Sequence, residues 1–484
     1  MSRPILVPAA LIGALWLSVT PLSSQAEVFC VDTAAGLQTA LSTAAINGED
    51  DEVRIVQGTY VGNFVYASAE SFDVAVKGGW DSSCTDQEID PSNTVLDGNQ
   101  VSTVLALSTP GATANFLVQG LTLRNGDRGN SGGGLFVKGD RSGSLTAEFN
   151  RIIGNTAGED GGGVYSIFIA IASFTNNHIE SNVSGHSGGG VYVGSDTLAF
   201  TNNRIESNVS DLSGGGVYAF GEMLSFTNNI VEGNTNVFFG RGGGIYTFGD
   251  TIQFTNNTVM SNAANYTGGG IHIGRFNADN SAKLYNNIFW NNAADEAGDI
   301  YIENDADDDF FPSPVVLSHN NFNQMPGSGY ETDLPIIIDP SNLDAVDPMF
   351  VDPDNGDLSL LPDSPMINAG DPETPDLPAT DIIGNPRVFG GVVDIGAYEW
   401  RDAPVLDGEC FLDWAESQYP RRFAPAGAET VDRSPLFYRV YRQSRTALGY
   451  NENTARVYYR NREGETRNMG ALETWLERAG CLTQ

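Results

Sequence analysis

Seven positions, each two residues beyond a run of small residues, carry an aromatic ring or an imidazole: Phe136, Tyr165, Tyr192, Tyr218, Tyr246, His272 and Tyr301. Such rings offer flat apolar faces, and tyrosine adds a polar rim, so an exposed row of them suits the C–H surfaces and hydroxyls of sugars better than it suits solubility. A second set, Glu180, Glu206 and Glu232, recurs at a constant interval and stacks three carboxylates if each interval is one structural repeat. Neighbouring carboxylates at about 5 Å repel by roughly 1 kcal/mol in water. The expected outcomes are therefore splayed, solvated side chains or a shared cation such as calcium. Asp305, Asp307, Asp308 and Asp309 form an acidic run that offers calcium ligands too, although no EF-hand or nonapeptide spacing surrounds it and a solvated loop is the plainer reading.

Signals for catalysis are sparse. The lysines are Lys77, Lys138 and Lys283, of which Lys138, near Asp140, is the one beside the repeat face that a base would need. His178, His186, His272 and His319 stand at non-equivalent or variable positions, and no HExxH, nucleophile elbow or zinc spacing occurs. No catalytic residue and no required cofactor is assigned.

The elements that must position these side chains are set by an internal repeat. Segments opening Phe174-Thr-Asn-Asn, Phe200-Thr-Asn-Asn, Phe226-Thr-Asn-Asn and Phe254-Thr-Asn-Asn return every 26 to 28 residues, with weaker copies on either side. One asparagine column runs through Asn150, Asn177, Asn203, Asn229, Asn257 and Asn287. A second, five residues on, runs through Asn155, Asn182, Asn208, Asn234, Asn262 and Asn292. Two residues after the first column the side chain is always apolar, from Ile152 to Phe289. Short β-branched strands between Asn and Gly turns, without a 3.6 period, exclude a helical solenoid. Each repeat is expected to be one coil of a right-handed parallel β-helix, about 4.8 Å from the next, with asparagine ladders inside the bends and glycine triplets where the backbone is tightest. The residues flanking the aromatic column are mostly apolar, so period two points the flanks inward and the rings outward; a stacked aromatic core is the competing assignment.

The ends of the chain read differently. Arg3, the apolar stretch Ile5 to Val19 and Ser24-Gln25-Ala26 make a secretory signal peptide over residues 1–26, with no later apolar run long enough to span a membrane. The expected location is therefore secreted, at the outer cell surface or in the periplasm. Leu37, Leu41, Ala44 and Ala45 share one helical face between Thr33 and Ile46, as a helix plugging the first coil would require. Export lets the cysteines pair, and local pairs Cys30–Cys84 and Cys410–Cys481 are favoured among three connectivities because each brackets a separate unit. The β-helix is assigned to 27–400, a linker to 401–408 and a small α+β module to 409–484. That module is read as helices around the strands LFYRVYRQ and ARVYYR. The net charge of −36 lies before Arg401, since the remainder holds 12 basic and 12 acidic side chains, and it excludes nucleic acid as a partner.

GTYVGNF, VKGGW, NTVLDGN and GLTLRNG, followed by the glycine-triplet repeats, resemble bacterial right-handed β-helix proteins of the pectin-lyase-like superfamily. DPMFVDPDNGDLSLLPDSPMINAGDP and DIIGNPRVFGGVVDIGAYEW resemble the terminal segment of choice-of-anchor Q proteins, which are surface β-helices. The resemblance implies the fold over about Val53 to Trp400, and it admits polysaccharide lyases and hydrolases. The Gly-His-Gly and Arg-Ile-Lys segments of polygalacturonases are missing, as are the Trp-Ile-Asp-His and Arg-x-Pro-x-x-Arg segments of pectate lyases. The expectation is thus a secreted or surface protein that binds polysaccharide or another extracellular partner without chemistry. A lyase or hydrolase, or a purely structural surface protein, are the alternatives.

Overall fold

The structure is a computed structural model that describes residues 26–275, 281–304, 315–332 and 336–401, and then 405–406, 408–419, 422–423, 428–433, 436–441, 445–451, 456–462, 466–471, 475, 478–479 and 482–483. Residues 1–25, on which most of the signal-peptide expectation falls, and Asp305, Asp307, Asp308, Asp309 and Cys481 lie outside the described residues. Two compact units divide between Glu399 and Trp400.

The first unit is a parallel β-helix of about ten turns. One coil illustrates it: a long strand Val191–Thr201, a short strand Arg204–Glu206 and a two-residue strand Val209–Ser210. Each pairs in parallel with its counterpart in the next coil, Val191 with Val217, Arg204 with Ile230 and Val209 with Thr235. Because the register matches the sequence repeat, like stacks on like. The rings of Phe174, Phe200, Phe226 and Phe254 lie 4.8, 5.1 and 4.6 Å apart inside the coils, fully buried.

Bends take the chain out of the strand ladder, so their backbone N–H groups need other partners. The asparagine columns supply them. Asn203 Oδ1 accepts from the backbone N and from Nδ2 of Asn177, both at 3.0 Å, while Asn203 Nδ2 donates to Phe174 O at 2.7 Å. The second column does the same through Asn182, Asn208 and Asn234. Before each first-column residue from Asn177 to Asn287 stands another asparagine in the left-handed region, with φ of 55° at Asn176 and Asn202 and 56° at Asn228, while Phe149 takes that conformation before Asn150. That conformation is one asparagine tolerates better than most residues. At the glycine triplets, a Cβ on Gly189 would meet Gly215 O at 2.4 Å and Val209 O at 2.5 Å, so adjacent coils approach too closely there for any side chain.

The N-terminal end is closed as the sequence implies. A helix, Ala34–Ala44, starts at Thr33, whose hydroxyl accepts from Gly36 N, and buries Leu37, Ala40, Leu41 and Ala44 in the core that the coils share. A Cys30–Cys84 disulfide joins the first strand, Glu27–Val31, to the loop after Val74–Trp80.

The coils do not continue to residue 400. The last stacked strand is Leu343–Asp344, paired with Asn321–Phe322. The residues beyond it are short of regular structure and form a strap that folds back along the side of the solenoid. Asn228 Nδ2 donates to Thr380 O at 2.7 Å, Asn256 Nδ2 to Asp394 O at 3.0 Å and Asn286 Nδ2 to Asp371 O at 3.2 Å, so the left-handed asparagines hold the strap. Arg387, fully buried, donates to Asn228 Oδ1 and Ala397 O, both at 2.7 Å, and reaches Glu399 at 3.4 Å. Burial, with Asp394 close by, pushes the Glu399 carboxyl up to about 8.

The second unit holds a helix, Gly408–Gln418, and a five-stranded antiparallel sheet in chain order from Ala428–Arg433 to Thr466–Ala471, around Phe411, Leu412, Tyr441, Leu448 and Val457. Leu436–Tyr441 and Arg456–Arg460 are the strands legible in the sequence, through their clustered aromatic residues; the other three hold one aromatic residue between them, Tyr450. Cys410 is disulfide-bonded.

Asn208→Ala tests the ladder. It removes the acceptor for two donors of Asn182 and the donor to Ile179 O. At about 1 kcal/mol per lost hydrogen bond, plus about 1–3 kcal/mol for a buried group left unpaired, the expected loss is roughly 3 kcal/mol or more. Urea unfolding of the variant checks it; a loss below about 1 kcal/mol would mean the ladder adds little.

Candidate functional site

The aromatic column faces outward. Val191 and Val193 are 0% exposed on either side of the half-buried Tyr192, and the same alternation holds for Tyr165 and Tyr218. Register places the rings one above another, and the centroid spacings from Phe136 to Tyr246 are 5.5, 5.3, 4.8 and 5.1 Å. Tyr246 to His272 and His272 to Tyr301 continue the row at 4.9 and 4.8 Å. Burial within this stack, with Asp160 nearby, pushes the Tyr192 hydroxyl up to about 12 and that of Tyr218 upward as well.

His272 departs from the expected platform. It is 1% exposed, and its ring nitrogens lie 2.9 Å from Thr267 Oγ1 and 3.1 Å from Glu303 Oε2, which Arg241 also holds at 2.9 Å. An imidazole spent on two internal hydrogen bonds offers no face to a ligand. The usable part of the stripe therefore lies toward Phe136.

A second outward column, four residues after each triplet, was not recognised in the sequence. It runs Lys138, Ile167, Gly194, Phe220, Phe248, Gly274 and Glu303 across the paired strands. Phe220 and Phe248 stack at 5.4 Å and set their edges against Tyr192, Tyr218 and Tyr246 at 5.7 to 6.2 Å. Counting two positions beyond the first column reveals these rings, but the column mixes ring, glycine and charge, so no single property marks it. At Gly194 the missing side chain admits the Phe220 ring, which a Cβ there would meet at 2.2 Å. Beside it opens a cleft of about 390 Å³, floored by Tyr165 and Tyr192 and walled by Ile167, Phe168, Phe220, Arg141 and Asp196.

Phe168 owes its position to one extra residue. The strand Val164–Thr175 is 12 residues long where the following ones have 11, and its register shifts between Ser166 and Ile169. The surplus puts Phe168 at φ 58° and leaves it 38% exposed. Arg141 and Lys138 lie over its ring at 5.1 and 5.7 Å, while Arg128 lies over Phe136 at 4.5 Å. Three cations stand against rings at this end of the stripe, with Asp160 and Asp196 close to the same tyrosines. Lys138 thus sits against a ring.

The glutamate column is in register too, and its carboxylates are paired with cationic side chains of the chain rather than splayed into solvent. Arg151, His178 and Arg204 occupy one column two residues before the acids and interleave with them. Arg151 pairs with Glu180 at 3.1 Å, His178 Nε2 with Glu206 at 2.6 Å, and Arg204 with Glu206 at 2.5 Å and Glu232 at 3.2 Å. Burial pushes the Glu206 carboxyl up, yet hydrogen bonds from His178 and Arg204 prevail and hold it at about 2. For Glu232 burial wins over Arg204, and its carboxyl is pushed up. His178, Glu180 and Glu206 keep ligand atoms within 4.8 Å of one another, so they are the described residues whose spacing suits a metal ion. A metal there would compete with two guanidinium groups.

No family model matches the chain, and no curated protein does. Among solved structures, the crystal structure of pectate lyase Pel9A is similar to 78% of this chain and 97% of that chain, at 14% identity and a TM-score of 0.44. The parallel β-helix assignment rests on the strand register given above.

The depressed Glu206 predicts an acid limb of stability. A folded-state value near 2 against an ordinary 4.5 means its contribution is present above pH 4.5 and is lost as pH falls toward 2. By that difference it amounts to roughly 3 kcal/mol at most. Thermal melts at pH 2.5 to 6 should show the Glu206→Gln chain losing less stability on acidification than the unaltered one; parallel curves would count against the ladder.

Proposed function

We propose that the chain is exported, acts outside the cell or at its surface, and binds an extended polysaccharide along the aromatic stripe without cleaving it. The observation that carries this reading is the outward, stacked row from Phe136 to Tyr246 with a cleft beside Tyr165 and Tyr192, where Phe168, Arg141 and Asp196 stand next to the tyrosine floor. Rings stacked at coil spacing form a continuous flat track, and sugar C–H faces cover such tracks favourably while rim hydroxyls find hydrogen-bonding partners. The half-buried state of the rings fits a preformed platform, because a side chain already ordered by its neighbours loses little entropy on binding. Surface retention through the choice-of-anchor-like strap belongs to the same reading. Calcium enters it as an optional counter-ion of Asp305, Asp307, Asp308 and Asp309, since the glutamate column has its counter-charges within the chain.

Phe168→Asn is the informative variant, because asparagine accepts the left-handed backbone at that position and the ring is exposed. In affinity electrophoresis through gels containing a panel of neutral and acidic polysaccharides, the unaltered protein should be retarded by at least one. Phe168→Asn should weaken that interaction by about tenfold, or roughly 1.4 kcal/mol, with an unchanged melting temperature. Tyr192→Ser with Tyr218→Ser should abolish it, at a stability loss of about 0.5–1.5 kcal/mol per broken stack. Absence of retardation by every polymer would refute the stripe as a binding site. Unsaturated or reducing-end products on incubation would replace binding by a lyase or hydrolase.

A further inference from the structure

A second, larger cleft of about 630 Å³ lies between the outer face of the short-strand sheet and the fold-back strap. Its floor is a column in register across three coils, with Glu232 paired to Met260 and Met260 to Trp290. The opposite wall is the strap, which contributes Asp347, Phe350 and Asp354. Neither the aromatic stripe nor its cleft shares a lining residue with it.

The charges are not equivalent. Glu232 is tied to Arg204 at 3.2 Å, and Arg204 also pairs with Glu206 and donates to Gly356 O of the strap at 2.9 Å, so the charge of this guanidinium is matched by the glutamates. Asp347 and Asp354 are exposed and make no ion pair among the described residues. The cavity therefore combines an indole and a thioether on one side with two uncompensated carboxylates on the other. Carboxylates attract an ammonium group, and the face of an indole does so as well, most strongly of the aromatic side chains. The half-buried indole of Trp290 suits a C–H-faced ring, while Met260, 5% exposed, adds little surface of its own, and the volume is within the roughly 300–1,000 Å³ of small-ligand sites.

We propose that this cleft binds a primary amine carried on a sugar-like frame, an amino sugar, with Asp347 and Asp354 receiving the ammonium group and Trp290 the ring. This site stands independently of the stripe. A sugar acetylated on nitrogen keeps the shape and loses the charge, which makes it the discriminating probe.

The experiment is isothermal titration of the full chain with the glucosamine trimer, the N-acetylglucosamine trimer and a short aliphatic diamine. The glucosamine trimer should bind about tenfold or more tightly than either of the others, and should weaken as sodium chloride is raised. Trp290→Ala and Asp354→Asn should each reduce binding by about tenfold or more. Asp354 is exposed, so its variant keeps the fold even if Trp290→Ala does not. Phe168→Asn should leave the amine titration unchanged, which separates this site from the stripe. Equal binding of the acetylated trimer, no heat with the glucosamine trimer, or indifference to Asp354→Asn would overturn the proposal. A diamine binding as tightly as the trimer would overturn the sugar frame and assign the cleft to free amines.

Discussion

Each coil of the first unit sits on the next at the spacing of a parallel strand pair, and every other feature inherits that one distance. Strand hydrogen bonds set it along the straight segments, and the asparagine columns keep it through the bends, where Asn177, Asn203 and Asn229 each accept from the coil before. Side chains at equivalent positions then have no choice but to stack. Phenylalanines do so inside and tyrosines outside, at nearly the same centroid spacing. Glycine triplets are the geometric cost of the same closeness, since the backbones meet there without room for a Cβ.

For charged side chains stacking at that distance is a problem that the fold must solve. Three glutamates in register would repel, and the chain answers with a parallel column of Arg151, His178 and Arg204 that begins one coil earlier. Each cation reaches diagonally to an acid of its own coil or the next, giving a ladder of alternating sign on a half-buried face. In the strap, Arg387 does similar work against Glu399, with Asp381 and Asp394 nearby, and its hydrogen bond to Asn228 links this buried charge cluster to the solenoid wall. The strap thus depends on the left-handed asparagines, whose amides point outward because the next residue's amide points in.

Both clefts arise where the regular stack is interrupted. Gly194 drops out of an outward column and an extra residue displaces Phe168, and the two together open the notch on the stripe. On the other face a column of Glu232, Met260 and Trp290 becomes one wall of a cavity only because the strap supplies the second. A perfectly periodic solenoid would present flat faces; the departures from periodicity are what give this one concave surfaces.

Periodicity is also what made so much of the molecule legible beforehand. The β-helix, the inward Ile152 to Phe289 column, both asparagine ladders, the outward tyrosines and the capping helix follow from repeat length, period two and local helical spacing, all properties of near neighbours in sequence. The Arg151, His178 and Arg204 column was equally periodic, but its meaning lies in pairing between coils, and a column of mixed residue types hides from a search for identity. His272 shared its column with tyrosines, yet Glu303 and Arg241, which hold it, stand on other coils. The strap shows the boundary most sharply. The sequence reading placed these residues within the β-helix, but their course back along the solenoid depends on contacts such as Asn228 with Arg387, 159 residues apart, and no local preference of the chain encodes a distance of that kind. The amino-acid sequence by itself determined the coil and what stacks on what, because those are set by short-range pattern; the tertiary structure alone decided which faces are covered and where cavities form, because those require segments remote in the chain to meet.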